Sequence, residues 1–287
     1  MAVMTTDEDC DELEYLGCSF LEDLLPSIKT YTLCSESQFL NLINSQTSHS
    51  TTILDIPHEL LLFRTSEDTD IYTLKTILNL ENPDISTYIS SIDLSGRLLL
   101  SKMPSVSHGS VGGVFHDIIL SSILPMDLKH ALKTYIGSRI WGAQEKRAKE
   151  PDYGWGPKRR APGQPDRPTI ALEFAYSKAD KKLQSDVRFW LSPRDGNANS
   201  CLTVRILQSN IRVEQWHHDN RGRLCRKGVV WITKTTDRLV VDNNYPTRIS
   251  FEDLFNRRAD CPRVSDIEVP QDDLRELTRA VWDDYCV

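Results

Sequence analysis

The stretch that decides the fold runs from Pro151 to Ile206. It opens Pro151-Asp152, crosses a polar segment rich in Pro, Gly and basic residues, and enters the run Ile170-Ala171-Leu172-Glu173-Phe174-Ala175-Tyr176. A Ser-Lys turn follows, then a helical pattern ending Phe189-Trp190-Leu191, then Leu202-Thr203-Val204-Arg205-Ile206. Strand side chains alternate between faces, so Ile170, Leu172, Phe174 and Tyr176 share one face. Glu173 falls on the other, between Ala171 and Ala175, where there is room for a ligand or a cation. A carboxylate inside an otherwise buried strand is costly unless something compensates it. Two carboxylates brought together by neighbouring strands are one way to bind a divalent cation.

Outward from this stretch, strands are predicted at 169–176, 201–207, 211–217 and 228–234. A helix is predicted at 178–191, with Leu183, Val187, Trp190 and Leu191 on one face, and another at about 270–285 with Leu274, Leu277, Val281 and Trp282 as its stripe. Upstream, 86–103 reads as a β-hairpin turning at Asp93-Leu94-Ser95-Gly96. Val111, Phe115, Ile118, Ile119 and Ile123 predict a helix that restarts after Pro125 and continues from Leu128 to Tyr135. The segment 143–168, with its prolines, glycines and basic residues, reads as a long turn or mobile loop. Ser35-Glu36-Ser37-Gln38 looks like a helix start, Asp55 to Phe63 begins another short helix, and 72–80 is ambiguous.

The fold class is therefore α/β. A mixed central sheet in 86–235 is flanked by helices at 108–135 and 178–191. Around it lie an acidic tail (1–16), an acidic, mainly helical N-terminal region (17–85) and a C-terminal extension with a helix (236–287). With 39% hydrophobic and 26% charged residues the composition is that of a soluble globular protein. The longest apolar runs fall far short of a membrane span, and the N-terminus lacks the basic and apolar parts of a secretory signal. Seven cysteines without a CxxC pair argue against a zinc site and a disulfide scaffold and for reduced thiols. These readings place the protein inside the cell, in cytoplasm or nucleus. The net charge of −7 is unevenly spread: residues 1–100 carry 4 Lys and Arg against 17 Asp and Glu, and the remainder is net basic. Such a division suggests two parts with different partners, or two parts that attract each other.

The order helix, strand, strand with Asp152 at its start, strand with Glu173, helix, strand resembles the PD-(D/E)xK nuclease superfamily, the restriction-endonuclease-like fold. More narrowly it is similar to fungal members of that group, which share a Pro-Asp, a strand ending Glu-x-x-x-Ser and a helix ending Trp-Leu. The matching elements are Pro151-Asp152, Glu173 to Ser177 and Trp190-Leu191, with Met103-Pro104 and His108 resembling the lead-in to the first core helix. The resemblance covers roughly residues 100–235. It implies that Asp152 and Glu173 hold Mg²⁺, which lowers the pKa of a bound water and stabilises charge on a scissile phosphate. It also implies a lysine two residues after the Glu, where this chain has Ala175. The position aligned with the lysine that some branches carry on the next helix is Asp186. Lys178, Lys181 and Lys182 are the nearby replacements, and Lys182 is the candidate catalytic lysine. Asp186 is either a third metal ligand or the partner of Lys182 one helical turn back.

Other residues have plainer readings. Ser177 suits a helix N-cap, Asp152 a turn, and His116 a structural role beside an apolar stripe. Trp190 reads as core. His217 and His218 point to opposite faces of an extended strand. The basic loop, with Lys158, Arg159 and Arg160, either contacts phosphate or is solvated. Three functions result: a Mg²⁺-dependent nuclease or a degenerate relative of one; a non-catalytic nucleic-acid-binding protein; and an accessory protein whose acidic N-terminal region binds a protein partner. None needs a membrane.

Overall fold

Two large β-sheets stacked with helices between and outside them, and a small two-stranded sheet, make up the described part of the computed structural model. It describes residues 20–21, 24, 28–33, 35–49, 60–65, 88–102, 106–176, 180–207, 209–235, 239–242 and 248–282. The chain begins with β1 (Thr30–Leu33), α1 (Glu36–His49) and β2 (Leu60–Thr65), then the hairpin β3 (Ile89–Asp93) and β4 (Leu98–Lys102). Next come α2 (Val106–Ile123), a 3₁₀ turn (Lys129–Ala131), β5 (Leu132–Tyr135), β6 (Ile140–Trp141), β7 (Arg147–Lys149) and β8 (Tyr153–Pro157). The central unit follows: β9 (Ile170–Tyr176), α3 (Asp180–Leu191) and β10 (Ser200–Ile206). β11 (Asn210–His218), β12 (Leu224–Lys234), β13 (Leu239–Asp242), β14 (Arg248–Ile249), α4 (Phe251–Phe255), β15 (Ile267–Glu268) and α5 (Gln271–Trp282) complete it.

The larger sheet has the order β13-β12-β11-β10-β9-β8-β5. β5, β8 and β9 run antiparallel in turn, while β9 and β10 are parallel and joined through α3. A parallel pair needs such a crossover because its two strands start at the same end. The amphipathic pattern read in 180–191 lets the helix lie on the sheet. The six-stranded sheet has the order β1-β2-β4-β3-β7-β6. Its strands come from both sides of residue 86. The chain leaves the larger sheet after β5, adds β6 and β7 to the smaller sheet, and returns as β8.

Three apolar clusters follow from the alternation. Ile170, Leu172 and Phe174 join Val111 and Phe115 of α2 and Leu274, Leu277 and Val281 of α5 on one side of the larger sheet. Ala171 and Cys201 on the opposite side meet Val187 and Trp190 of α3 and Leu62, Leu98 and Leu100 of the smaller sheet. The far side of the smaller sheet packs Leu61, Phe63 and Leu99 against Phe39 and Ile43 of α1.

Several sequence expectations are corrected. Leu132–Tyr135 is a strand, not a continuation of the helix, because the chain turns after Ile123 and then pairs with β8. Leu60–Thr65 is a strand between β1 and β4; a short continuous apolar run has no periodicity to separate helix from strand. Its predicted start at 55–59, like 72–80 and the tail 1–16, lies outside the described residues. The segment 143–168 holds β7 and β8 and is no single loop. Within 17–85 the described residues form one helix, two strands and a few turn residues; the remainder of the region read as mainly helical lies outside the described residues. The helix start at Ser35 does form: the Gln38 backbone N–H donates to Ser35 Oγ at 3.2 Å. No disulfide joins the described cysteines Cys201, Cys225 and Cys261. No helix among the described residues is long and apolar enough to cross a membrane.

Candidate functional site

The antiparallel register that pairs Tyr153 with Leu172 puts Asp152 across from Glu173. Sheet alternation turns Glu173 away from the α2 side and towards α3 and the smaller sheet. There it is completely buried. Asp186, on the inner face of α3, and Lys182, one turn before it, are buried beside it. The smaller sheet contributes Lys149 from β7 and Lys102 from the end of β4.

These six side chains satisfy one another. Lys149 Nζ lies 3.3 Å from Glu173 Oε1 and 2.8 Å from Asp186 Oδ1. Lys182 Nζ lies 3.2 Å from Glu173 Oε2 and 2.6 Å from Asp186 Oδ2. The indole Nε1 of Trp190 donates to Glu173 Oε1 at 2.7 Å. Asp152 Oδ1 accepts from Lys102 Nζ at 2.5 Å, and its Oδ2 accepts from the Phe174 backbone N–H at 3.0 Å. Every oxygen of the three carboxylates lies against an ammonium or an N–H, although Asp186 Oδ2 meets Lys182 Nζ as an ion pair without hydrogen-bond geometry. Three ammonium groups face three carboxylates, so the formal charge of the group is zero. A buried charge is tolerated only with such pairing and hydrogen bonding.

Protonation follows the surroundings. Complete burial pushes the Glu173 carboxyl up to about 7, against the pull of the Lys149 ammonium. Burial also works against the Asp186 carboxylate, but Lys149 and Lys182 outweigh it and hold Asp186 below its ordinary value. Burial opposes the charge on Lys182; Asp186 and Glu173 more than compensate and hold it well above the ordinary lysine value. Lys102 is lowered by burial, with Asp152 opposing. Burial and the Glu173 carboxylate push the Cys201 thiol well up, so it is no thiolate nucleophile.

Asp152, Glu173, Lys182 and Asp186 therefore meet in one place. The two readings of Asp186 merge, since it pairs with Lys182 and still faces Glu173. Trp190 is core, yet it also donates to Glu173. Lys102 and Lys149 escaped the sequence reading. Lys102 continues the face of Leu98 and Leu100 at the two-residue spacing of β4, a signal that was there to be used. For Lys149 the only signal is its place two residues before Pro151.

The basic loop divides. Arg160 is drawn into the fold, donating to Tyr135 Oη at 3.0 Å and to the Arg167 carbonyl. Lys158 and Arg159 are exposed. The Lys158 backbone N–H donates to the Ala131 carbonyl at 2.7 Å, bringing the loop beside exposed Lys129 and His130. This basic corner lies at the far end of β8 from Asp152, roughly 20 Å away at the rise of a strand. His116 is structural: its Nδ1 accepts from Trp155 Nε1 at 3.2 Å. Ser177 and Lys178 lie outside the described residues, and of the His108 side chain nothing is described.

Mg²⁺ does not fit this arrangement of side chains. It needs carboxylate oxygens with free lone pairs and a net negative cage, whereas every oxygen of Asp152, Glu173 and Asp186 already faces an ammonium or an N–H and the charge is balanced. Among the described residues no group of three or more His, Cys, Asp or Glu is arranged to hold a metal ion. No protein-family profile matches the chain, and comparison with curated proteins finds no relative.

Proposed function

We propose that this chain is a degenerate PD-(D/E)xK-like protein that binds nucleic acid without cleaving it. Support for the scaffold is the order α2-β5-β8-β9-α3-β10 of the larger sheet and its helices, interrupted by β6 and β7 of the smaller sheet, with Asp152 immediately before β8 and Glu173 in β9. The observation that carries the choice of binding over cleavage is the engagement of both Glu173 oxygens by Lys149, Lys182 and Trp190 inside a closed interior. A carboxylate so held offers no coordination to a metal and no contact to a phosphate. The binding surface in this reading is the corner of Lys129, His130, Lys158 and Arg159, whose side chains reach solvent. The lysine and arginine side chains among them would hold phosphates by releasing counterions and carry no sequence preference of their own.

The test is fluorescence anisotropy of labelled single-stranded DNA, duplex DNA and RNA over a range of salt, with Mg²⁺ or Mn²⁺ present or absent and the products run on a gel. The expected result is affinity that falls as salt rises, with intact substrate throughout. Metal-dependent cleavage lost in Glu173→Gln would restore the nuclease reading. No affinity at any salt would move the search to protein partners of the acidic N-terminal region.

A further inference from the structure

We infer that the Lys149 ammonium stands where a divalent cation would otherwise be required, so that this centre is a clamp closed by lysines between the two sheets. The inference does not depend on whether the chain binds nucleic acid.

Three observations carry it. First, Lys149 bridges two carboxylates that belong to different elements, Glu173 of β9 and Asp186 of α3. Bridging carboxylates from neighbouring elements is what a bound cation does. Second, the bridging group comes from outside the larger sheet. β7 is paired to β3 and β6 of the smaller sheet, and its lysine crosses the interface to reach its partners. Lys102 of β4 does the same for Asp152. Third, the lysine side chains are almost wholly buried: Lys149 is 1% exposed and Lys182 is 2% exposed. A lysine seldom takes such a position without a charged partner.

The electrostatic consequence is specific. With Lys149 present, a dication would add two charges to a group that is already neutral. With Lys149 gone, Glu173 and Asp186 face Lys182 alone, and the excess negative charge becomes a site for a dication.

The experiment is thermal unfolding and calorimetric titration of the full chain with Mn²⁺ and Mg²⁺, on the wild type and on Lys149→Met. The wild type is expected to give no saturable heat and an unchanged Tm at millimolar metal. Lys149→Met is expected to melt on the order of 10 °C lower without metal, the loss typical of a broken buried pair in a chain of this size, and to regain part of that loss with Mn²⁺. Metal binding by the wild type that disappears in Glu173→Gln overturns the inference. So does a Lys149→Met protein as stable as the wild type, or one that Mn²⁺ leaves unchanged. If Lys149→Met does not fold, the double variant Lys149→Met/Asp186→Asn decides. It removes one charge of each sign, so the inference expects it to fold and to melt closer to the wild type. Failure of the double variant to fold would overturn the clamp.

Discussion

Trp190 Nε1 donates to Glu173 Oε1 at 2.7 Å, across the contact between α3 and β9. The bond joins the largest side chain on the inner face of the helix to the one carboxylate in the strand beneath it. Trp190→Phe keeps most of the packing and removes the donor. It is expected to cost about 1–3 kcal/mol, the range for a buried acceptor that loses a partner. Urea unfolding of the two proteins measures it.

The same contact depends on Gly196. A Cβ at that position would fall 2.6 Å from the Trp190 Cα, which is backbone and does not swing aside. Gly196→Ala is expected to push α3 and the loop after it apart and to destabilise by about 1–3 kcal/mol, as over-packing does. The near-ultraviolet circular dichroism of Trp190 should change along with the melting temperature.

The acid groups give a pH dependence with a definite sign. The folded-state pKa of Glu173, about 7, lies above its ordinary value of 4.5. The folded protein therefore holds more protons than the unfolded chain between those values, and this group's contribution to stability declines as pH rises from about 4.5 to about 7. Asp186 works the other way: its pKa is depressed, so its contribution is present above the ordinary carboxylate value of 3.8 and is lost as pH falls further. Glu173→Gln should flatten the stability profile between about pH 4.5 and pH 7, which urea midpoints at stepped pH would reveal. A slope unchanged in the variant would assign it to other groups.

At the basic corner, Lys158 and Arg159 act as phosphate contacts in the proposed function. The double variant Lys158→Ala/Arg159→Ala should weaken binding to all sequences alike. It should also lower the slope of log affinity against log salt by about two on duplex DNA. Arg160→Ala should instead lower stability, because its guanidinium is bonded to Tyr135 and to the Arg167 carbonyl.

Some of this was readable from the residues and some was not. The run 170–176 alternates a large apolar side with a small one, and the helix 180–191 carries a clear stripe, so β9, α3 and β10 and the place of Glu173 could be read directly. β8 could not. Tyr153-Gly154-Trp155-Gly156-Pro157 alternates aromatic and glycine residues, and glycine and proline are otherwise turn signals. β5 and β7 are too short for a period to show, and their pairing is decided by strands far along the chain. Lys149 was hidden for a related reason. It stands in a basic segment that looks solvated, and only the pairing of β7 with β3 turns it inward. Asp152, Glu173, Lys182 and Asp186 were legible as candidates, and so was the pairing of Lys182 with Asp186; that Lys102 and Lys149 complete the group was not.

The excursion from β5 through β6 and β7 to β8 governs how the chain must fold. Neither sheet can be finished by a contiguous stretch: the smaller one waits for residue 149, and the larger one spans from residue 132 to residue 242 around that detour. Such non-local pairing is slow, because loop-closure entropy is spent before the contacts repay it. Edge strands stand open in the meantime, and partly folded chains with open edges associate with one another. Refolding yield should thus fall as protein concentration rises, and a chain cut between the sheets should leave two fragments that are each missing strands.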